Sequence, residues 1–127
     1  MLLIGHQLIP FSPLYPIDSL DEITLTPRDS IVLFEYNPNL IWHCRENEIS
    51  FALHVSNTTE GIIGNGAGAK ILIASMSLAI ELQKLAEHYL FDAKVAVVAD
   101  EESAISEVAK HGIDALLLPE GIISWKS

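Results

Sequence analysis

The sequence predicts an α/β domain on a mostly parallel sheet, and two observations predict it. First, residues 47–56, 67–75, 91–100 and 111–120 repeat one pattern: a helix exit, an apolar run, then a polar residue. Continuous apolar runs separated by helical patterns mark parallel strands buried on both faces. Second, strand starts recur near residues 31, 50, 69, 94 and 114. That spacing leaves room for one short helix between strands.

Residues 2–9 form the first expected strand, with Gly5-His6-Gln7 a possible irregularity. Three prolines follow, at Pro10, Pro13 and Pro16, and favour an extended surface loop. Asp18 is placed to cap a short helix over 19–23, and residues 26–30 make a turn. The next strand, 31–36, meets Asn37-Pro38, an N-cap followed by proline at the first helical position. That helix runs to about Asn47, and the third strand covers 50–56. Asn57 and Glu60 have capping-box spacing, which starts a short helix ending near Gly64. The fourth strand covers 69–74. Residues 77–91 form the clearest helix, with Leu78, Leu82, Leu85 and Tyr89 on one buried stripe. The fifth strand covers 94–99. Asp100 is placed to cap a helix with Glu101 and Glu102 in its first turn, as the helix dipole prefers. Gly112 ends that helix, and 115–118 is the sixth strand. The tail Ile122-Ile123-Ser124-Trp125 is apolar and is expected to dock.

No linker divides the chain, so residues 1–127 form one domain. Two architectures fit six short strands alternating with helices. The leading one is an open doubly wound sheet of flavodoxin or Rossmann type; the alternative is a partial β/α barrel. A full eight-unit barrel takes about 250 residues, and roughly 200 at least, so one copy of this chain cannot close it.

Residues 52–60 and 66–73 resemble one βα unit of the phosphate-binding β/α barrels, such as the keto-deoxy-phosphogluconate aldolases. In that family a strand ends in a short polar turn, a Thr/Ser-x-x-Glu helix follows, and a Gly-Ala step opens the next strand. The resemblance covers about a fifth of the chain. It implies a barrel-like βα arrangement. The aldolase activity would need a Schiff-base lysine inside or at the C-terminal end of a strand. Lys70 and Lys94 stand at the N-terminal ends of theirs.

Composition narrows the function classes. Seventeen carboxylates face seven Lys and Arg, a net charge of −10, and the cations are spread singly. No basic patch suits nucleic acid or an anionic membrane surface. The longest apolar span, 71–80, is interrupted by Ser75 and Ser77 and is too short for a bilayer. The N-terminus lacks the basic region and cleavage site of a signal peptide, so a cytoplasmic protein is expected. A mean hydropathy of +0.34 is apolar for so small a soluble protein. With the Ile122-Ile123-Trp125 tail, it leads to the expectation of a homo-oligomer, a homodimer first.

Ligands of parallel α/β sheets bind outside the carboxyl ends of the strands. That edge is expected to carry Glu35, His54, Ser56, Asn57, Thr58, Ser75, Asp100 and Glu120. His54, Glu35 and Asp100 are the catalytic candidates, because they can transfer protons. Ser56, Asn57, Thr58, Ser75 and Glu120 are candidate ligand contacts. Asn37, Asn57, Ser75 or Ser77, and Asp100 also have sufficient work as helix caps. His54 stands out because its strand face, Ala52-His54-Ser56, grows more polar toward the carboxyl end. Gly64-Asn65-Gly66-Ala67-Gly68 ends a helix and opens a strand, the reverse of a dinucleotide loop. Cys44, the single cysteine, falls on the Leu40-Ile41-Cys44 core stripe. No cofactor or metal motif is present. The expectation is a small non-catalytic binding or assembly module taking a neutral or cationic ligand, or a hard metal ion. The alternative is a small enzyme of lyase or metal-assisted type, with its site at the same edge.

Overall fold

The computed structural model describes residues 1–125. Seven strands make one wholly parallel sheet: β1 (Leu2–Ile4), β2 (Leu14–Pro16), β3 (Ile31–Glu35), β4 (Phe51–His54), β5 (Ile71–Ile73), β6 (Lys94–Val98) and β7 (Ala115–Leu117). The helices are α1 (Leu20–Ile23), α2 (Pro38–Glu46), α3 (Thr58–Gly66), α4 (Met76–Tyr89) and α5 (Ile105–Lys110). Single 3-10 turns lie at Glu102–Ala104 and Pro119–Gly121. No helix among the described residues is long and apolar enough to cross a membrane.

The parallel α/β class is as expected, with two corrections. There are seven strands, not six. The added one, β2, lies in the proline-rich segment; it is an edge strand, where Pro16 breaks no inner ladder. The sheet is also not doubly wound; it takes the alternative arrangement, a partial β/α barrel. Its order is β1-β7-β6-β5-β4-β3-β2, so the chain steps in one direction from β2 to β7. Crossovers of one hand then put every helix on one face.

Burial bears this out. Helix residues Leu40, Ile41, Cys44, Ala79, Leu82, Ala86 and Val108 share one core with Val32, Phe34, Leu53, Leu72, Val95, Val97 and Leu116. The other sheet face has its own core, which no helix enters: Ile4, Leu14, Leu33, Ala52, Ile71, Ile73, Ala96, Ala115 and Leu117. These residues are buried although no second layer lies over them. The sheet covers them by curling into a half-barrel, with Phe11, Ile31 and Ile122 packed against the interior.

The two edges of the curled sheet approach each other. Gly5, just past β1, lies against Gly121, and Ile122 bridges in parallel to Leu14 of β2. Ile123 N–H donates to the Leu14 carbonyl at 2.9 Å, and the Trp125 indole N–H donates to the Pro16 carbonyl at 2.9 Å. The apolar tail is therefore a strap across the seam of its own chain.

The strands are staggered as curling requires. One row of register partners runs Glu35, His54, Ile73, Ala96, Ala115, Leu2. It begins at the last residue of β3 and finishes at the first residue of β1. On this interior face Glu35 and His54 thus reach the C-terminal mouth, while Ile73, Ala96 and Ala115 of the same row are buried.

Helix starts follow the expected chemistry in part. Asn37 Oδ1 accepts from Asn39 N at 3.0 Å and Leu40 N at 3.2 Å, and Asn57 Oδ1 accepts from Glu60 N at 2.9 Å. The Glu60 carboxylate accepts from Ser56 N at 2.8 Å, closing a capping box one residue outside the usual position. Asp100 caps nothing: the segment enters a 3-10 turn whose capping position is Glu101. Asp18 does not cap α1 either; Ser19 holds that position. On α4 the buried face is Ala79, Leu82, Gln83 and Ala86, and Tyr89 is 66% exposed. Gly64 lies inside α3 rather than at its end. With Gly61 it lets α3 press onto Leu82, Leu53 and Leu72, whose methyls would sit within 3 Å of an added Cβ.

The seam yields a test. Gly5 has φ +105°, and a Cβ there would lie 2.5 Å from the Gly121 backbone nitrogen. Gly5→Ala is expected to destabilise by roughly 2–3 kcal/mol, read as a lower urea midpoint at unchanged slope.

Candidate functional site

The C-terminal ends of all seven strands open at one edge, and the helices start there. Carboxylates mark most strand ends: Glu35 as the last residue of β3, Glu60 in the first turn of α3, Asp100, Glu101 and Glu102 after β6, and Glu120 after β7. The cations go elsewhere. Arg28, Arg45, Lys70, Lys94 and Lys110 stand where chain leaves a helix or enters a strand, at the opposite edge, and Lys84 lies midway along α4. Among the described residues, the mouth carries no Lys or Arg.

Glu35 and His54 are register partners on neighbouring strands, both on the interior face by alternation with Leu33 and Ala52. Glu35 is exposed and His54 half-buried. The His54 ring makes no hydrogen bond to a described residue. No buried side-chain nitrogen or oxygen among those residues lacks a partner. Both ring nitrogens therefore reach solvent. Burial holds the imidazole below its ordinary value of 6.5, because the charged form loses hydration, while the Glu35 charge pulls the other way. The neutral ring offers one donor and one acceptor.

Asp100 and Glu120 lie apart from this pair, beyond β5 in the strand order. They line a shallow cleft of ≈ 260 Å³ with His6, Glu102, Gly5 and Pro119. His6 Nε2 lies 2.9 Å from Glu102 Oε2, and His6 Nδ1 accepts from Leu8 N at 3.1 Å. An acceptor at Nδ1 requires the proton at Nε2, so the neutral ring donates to Glu102 and has no nitrogen left over. His6 is a latch on the loop between β1 and β2. Sequence reasoning passed over His6 and Glu102 because their meeting depends on β1 lying beside β7.

The remaining candidates fall into place singly. Asn57 and Ser75 are N-caps, Ser75 Oγ accepting from Leu78 N at 3.4 Å. Ser56 gives its N–H to Glu60, and Thr58 is the first residue of α3. Ser75 also lines a mostly apolar cleft of ≈ 350 Å³ between the ends of β5 and β6, with Met76, Val98 and Val108. Val98, on the interior side with Ala96, is 47% exposed at the mouth. Cys44 is fully buried, its thiol pushed up to about 11 by desolvation, and is inert at neutral pH.

Wider clefts, ≈ 490 and ≈ 520 Å³, open at the N-terminal edge. They are lined by residues of turns, helix ends and strand starts and contain no histidine. The Asp114 carboxylate in the second accepts from Val95 N at 3.1 Å and is part of the scaffold. Volume and chemistry disagree here. The proton-transfer groups at the mouth, paired as Glu35 with His54 and Glu102 with His6, decide for the smaller features, as the geometry of parallel sheets also does. No protein-family model matches this chain, and no curated protein sequence is significantly similar to it.

The shift of His54 has a measurable consequence. The unfolded chain takes up this proton near pH 6.5 and the folded chain only at lower pH. The stability contributed by neutral His54 is complete above pH 6.5 and is lost as pH falls through the lowered folded value. An NMR titration of the ring is expected to give a midpoint below 6.5, moving further down in Glu35→Gln. A midpoint at or above the ordinary value would remove this description of the site.

Proposed function

We propose that the protein is a non-catalytic binding module that takes a small neutral or cationic ligand at the C-terminal mouth of the half-barrel. One observation carries the reading: His54 presents an uncommitted imidazole beside the Glu35 carboxylate, on the sheet face away from the helices. An uncommitted, half-buried polar ring is a recognition element waiting for a partner. The phosphate-binding character implied by the resemblance to keto-deoxy-phosphogluconate aldolase units is not carried over, because an anion would meet carboxylates without a cation. The Schiff-base chemistry is not carried over either, since Lys94 opens β6 and Lys70 precedes β5.

A second reading uses the same pair. A neutral imidazole beside a carboxylate is a general base at neutral pH, as a small lyase or metal-assisted enzyme would need. The binding reading is preferred because the proton-transfer groups divide into separate pairs, and the nitrogens of His6 are occupied. The test is His54→Ala under NMR with a mixture of polar metabolites. The variant is expected to keep its stability within about 1 kcal/mol and to lose the ligand-induced amide shifts at Glu35 and His54. Unchanged binding would overturn the proposal, and product formation by the parent protein would favour the enzyme.

We place the protein in the cytoplasm, a location that suits a chain with a single unpaired cysteine. We also propose a homodimer. Its support moves from the tail, which straps the seam, to the outer helix faces, where Trp42, Ile62 and Ile63 are 64%, 46% and 47% exposed. Sedimentation at micromolar concentration is expected to show twice the 13.9 kDa chain mass. Trp42→Glu is expected to return the monomer.

A further inference from the structure

The apolar cleft of ≈ 350 Å³ lies on the helix side of the sheet, between the first turn of α4 and the start of α5. Neither Glu35 nor His54 lines it. Its walls belong to one core: Ala74, Val97 and Val108 are buried there, and Met76 and Ala99 pack against the same cluster. The stagger of the sheet opens the backbone at this point. The ladder between β5 and β6 reaches as far as Ala74 N–H, which donates to the Ala96 carbonyl at 3.0 Å. The chain then turns into α4 at the Ser75 cap, while β6 runs on to Val98 beside β7. Peptide groups along a strand face its two neighbours alternately. Lys94 N–H donates to the Lys70 carbonyl, on the β5 side, so Val98 N–H faces that side too. Its ladder partner there would be the Ala74 carbonyl. Among the described residues no hydrogen bond joins the two, and neither has another partner. One backbone donor and one backbone acceptor therefore stand beside each other at an apolar cleft.

We propose that this cleft binds a small neutral amide with a compact hydrocarbon body. The amide carbonyl accepts from Val98 N–H, the amide N–H donates to the Ala74 carbonyl, and the body lies among Val97, Ala104 and Val108. The ligand supplies the bonds with which β5 would have continued the ladder. Charge decides against an acid or an amine of the same shape. A carboxylate would enter an edge where the described residues include no Lys or Arg. Glu107, the carboxylate in the lining, is 67% exposed and lies 3.4 Å from His111 Nε2, one helical turn on. It offers an ammonium only a solvated partner. The backbone pair is neutral, and a neutral amide is desolvated at least cost where its donor and its acceptor are both met. The volume stands at the small end of ligand pockets, which run from about 300 to 1,000 Å³. This site is separate from the Glu35–His54 pair, which lies on the opposite face of the sheet.

The experiment uses the full chain and four matched probes, followed by amide shifts in NMR: isovaleramide, isovalerate, isoamylammonium and N,N-dimethylisovaleramide. Isovaleramide is expected to bind saturably in roughly the millimolar range. It should move the amides of Ser75, Val98, Ala99 and Val108 and leave Glu35 and His54 in place. The Val98 amide proton is expected to shift downfield as it gains an acceptor. The carboxylate and the ammonium are expected to bind at least about ten-fold more weakly. The dimethyl amide keeps the acceptor but has no N–H, and is expected to lose roughly three- to ten-fold. Ala104→Leu fills the cleft from a half-buried position and is expected to remove isovaleramide binding. A thermal melt verifies that the variant folds; if it does not, the probe series on the parent chain decides alone. Either charged probe binding as tightly as isovaleramide, or the dimethyl amide binding undiminished, would overturn the inference. Saturable shifts confined to Glu35 and His54 would also overturn it while supporting the reading of that pair. No shift with any probe would overturn it too, and the Glu35–His54 reading would still rest on its own metabolite test.

Discussion

A parallel sheet wound in one direction has one face that no helix can cover. Crossovers of a single hand carry α2 to α5 to the same side, and the other face still holds Leu14, Leu33, Ile71, Ile73 and Leu117. Left flat, that face would sit in water. Curling is the solution open to a chain of this length, because it makes the sheet its own second layer. The architecture follows from that necessity. The edges must approach, the strands must stagger, and something must join the seam.

The seam is built from backbone rather than from side-chain packing. Gly5 and Gly121 meet where neither tolerates a Cβ, and residues 121–123 carry the chain from the end of β1 to β2. The opposite edge is tied by a polar network around Asp114. Its N–H donates to Gln83 Oε1 at 3.0 Å, its carboxylate accepts from Val95 N, and its carbonyl accepts from Leu2 N at 2.8 Å. One residue thus joins α4, β6 and β1. Gln83 is buried on the inner face of α4 for this reason, in the stripe that periodicity alone would keep apolar. On the far side of α3, Asn65 Oδ1 accepts from Ala93 N at 3.0 Å and serves the start of β6 in the same way.

What was legible in the sequence is what local chemistry decides. Asn37-Pro38 and Asn57…Glu60 start helices because their side chains meet backbone donors within a few residues. The doubly buried strands show because both faces are apolar. The strand order was not legible. It depends on contacts such as Gly5 with Gly121, between residues far apart in the chain. The second strand was hidden by its prolines, which are tolerated there only because β2 is an edge. Tyr89 was assigned to the core by periodicity, but α4 rotates to bury Gln83 against Asp114 instead. The position of His54 at the open end of an interior face was legible, because alternation along one strand needs no knowledge of its neighbours.

The acidity of the mouth has two sources that should be kept apart. Helix N-termini gather at this edge, and their partial positive charge favours carboxylates in first turns. Glu60 belongs to that class, since its carboxylate holds Ser56 N–H. Glu102 is engaged with His6, which holds Leu8 in turn. Glu35 is different. It sits before the Asn37 cap, on the interior side of β3, and makes no hydrogen bond to a described residue. Asp100 and Glu120 are likewise exposed, but the histidine beside them has no nitrogen to give. Once the scaffold has taken the groups it uses, one carboxylate and one imidazole remain side by side at the mouth. The stagger that closes the sheet is what lifts them there, because in an unstaggered sheet their row would stay level with the buried Ile73 and Ala96. Curling therefore both completes the core and exposes the pair.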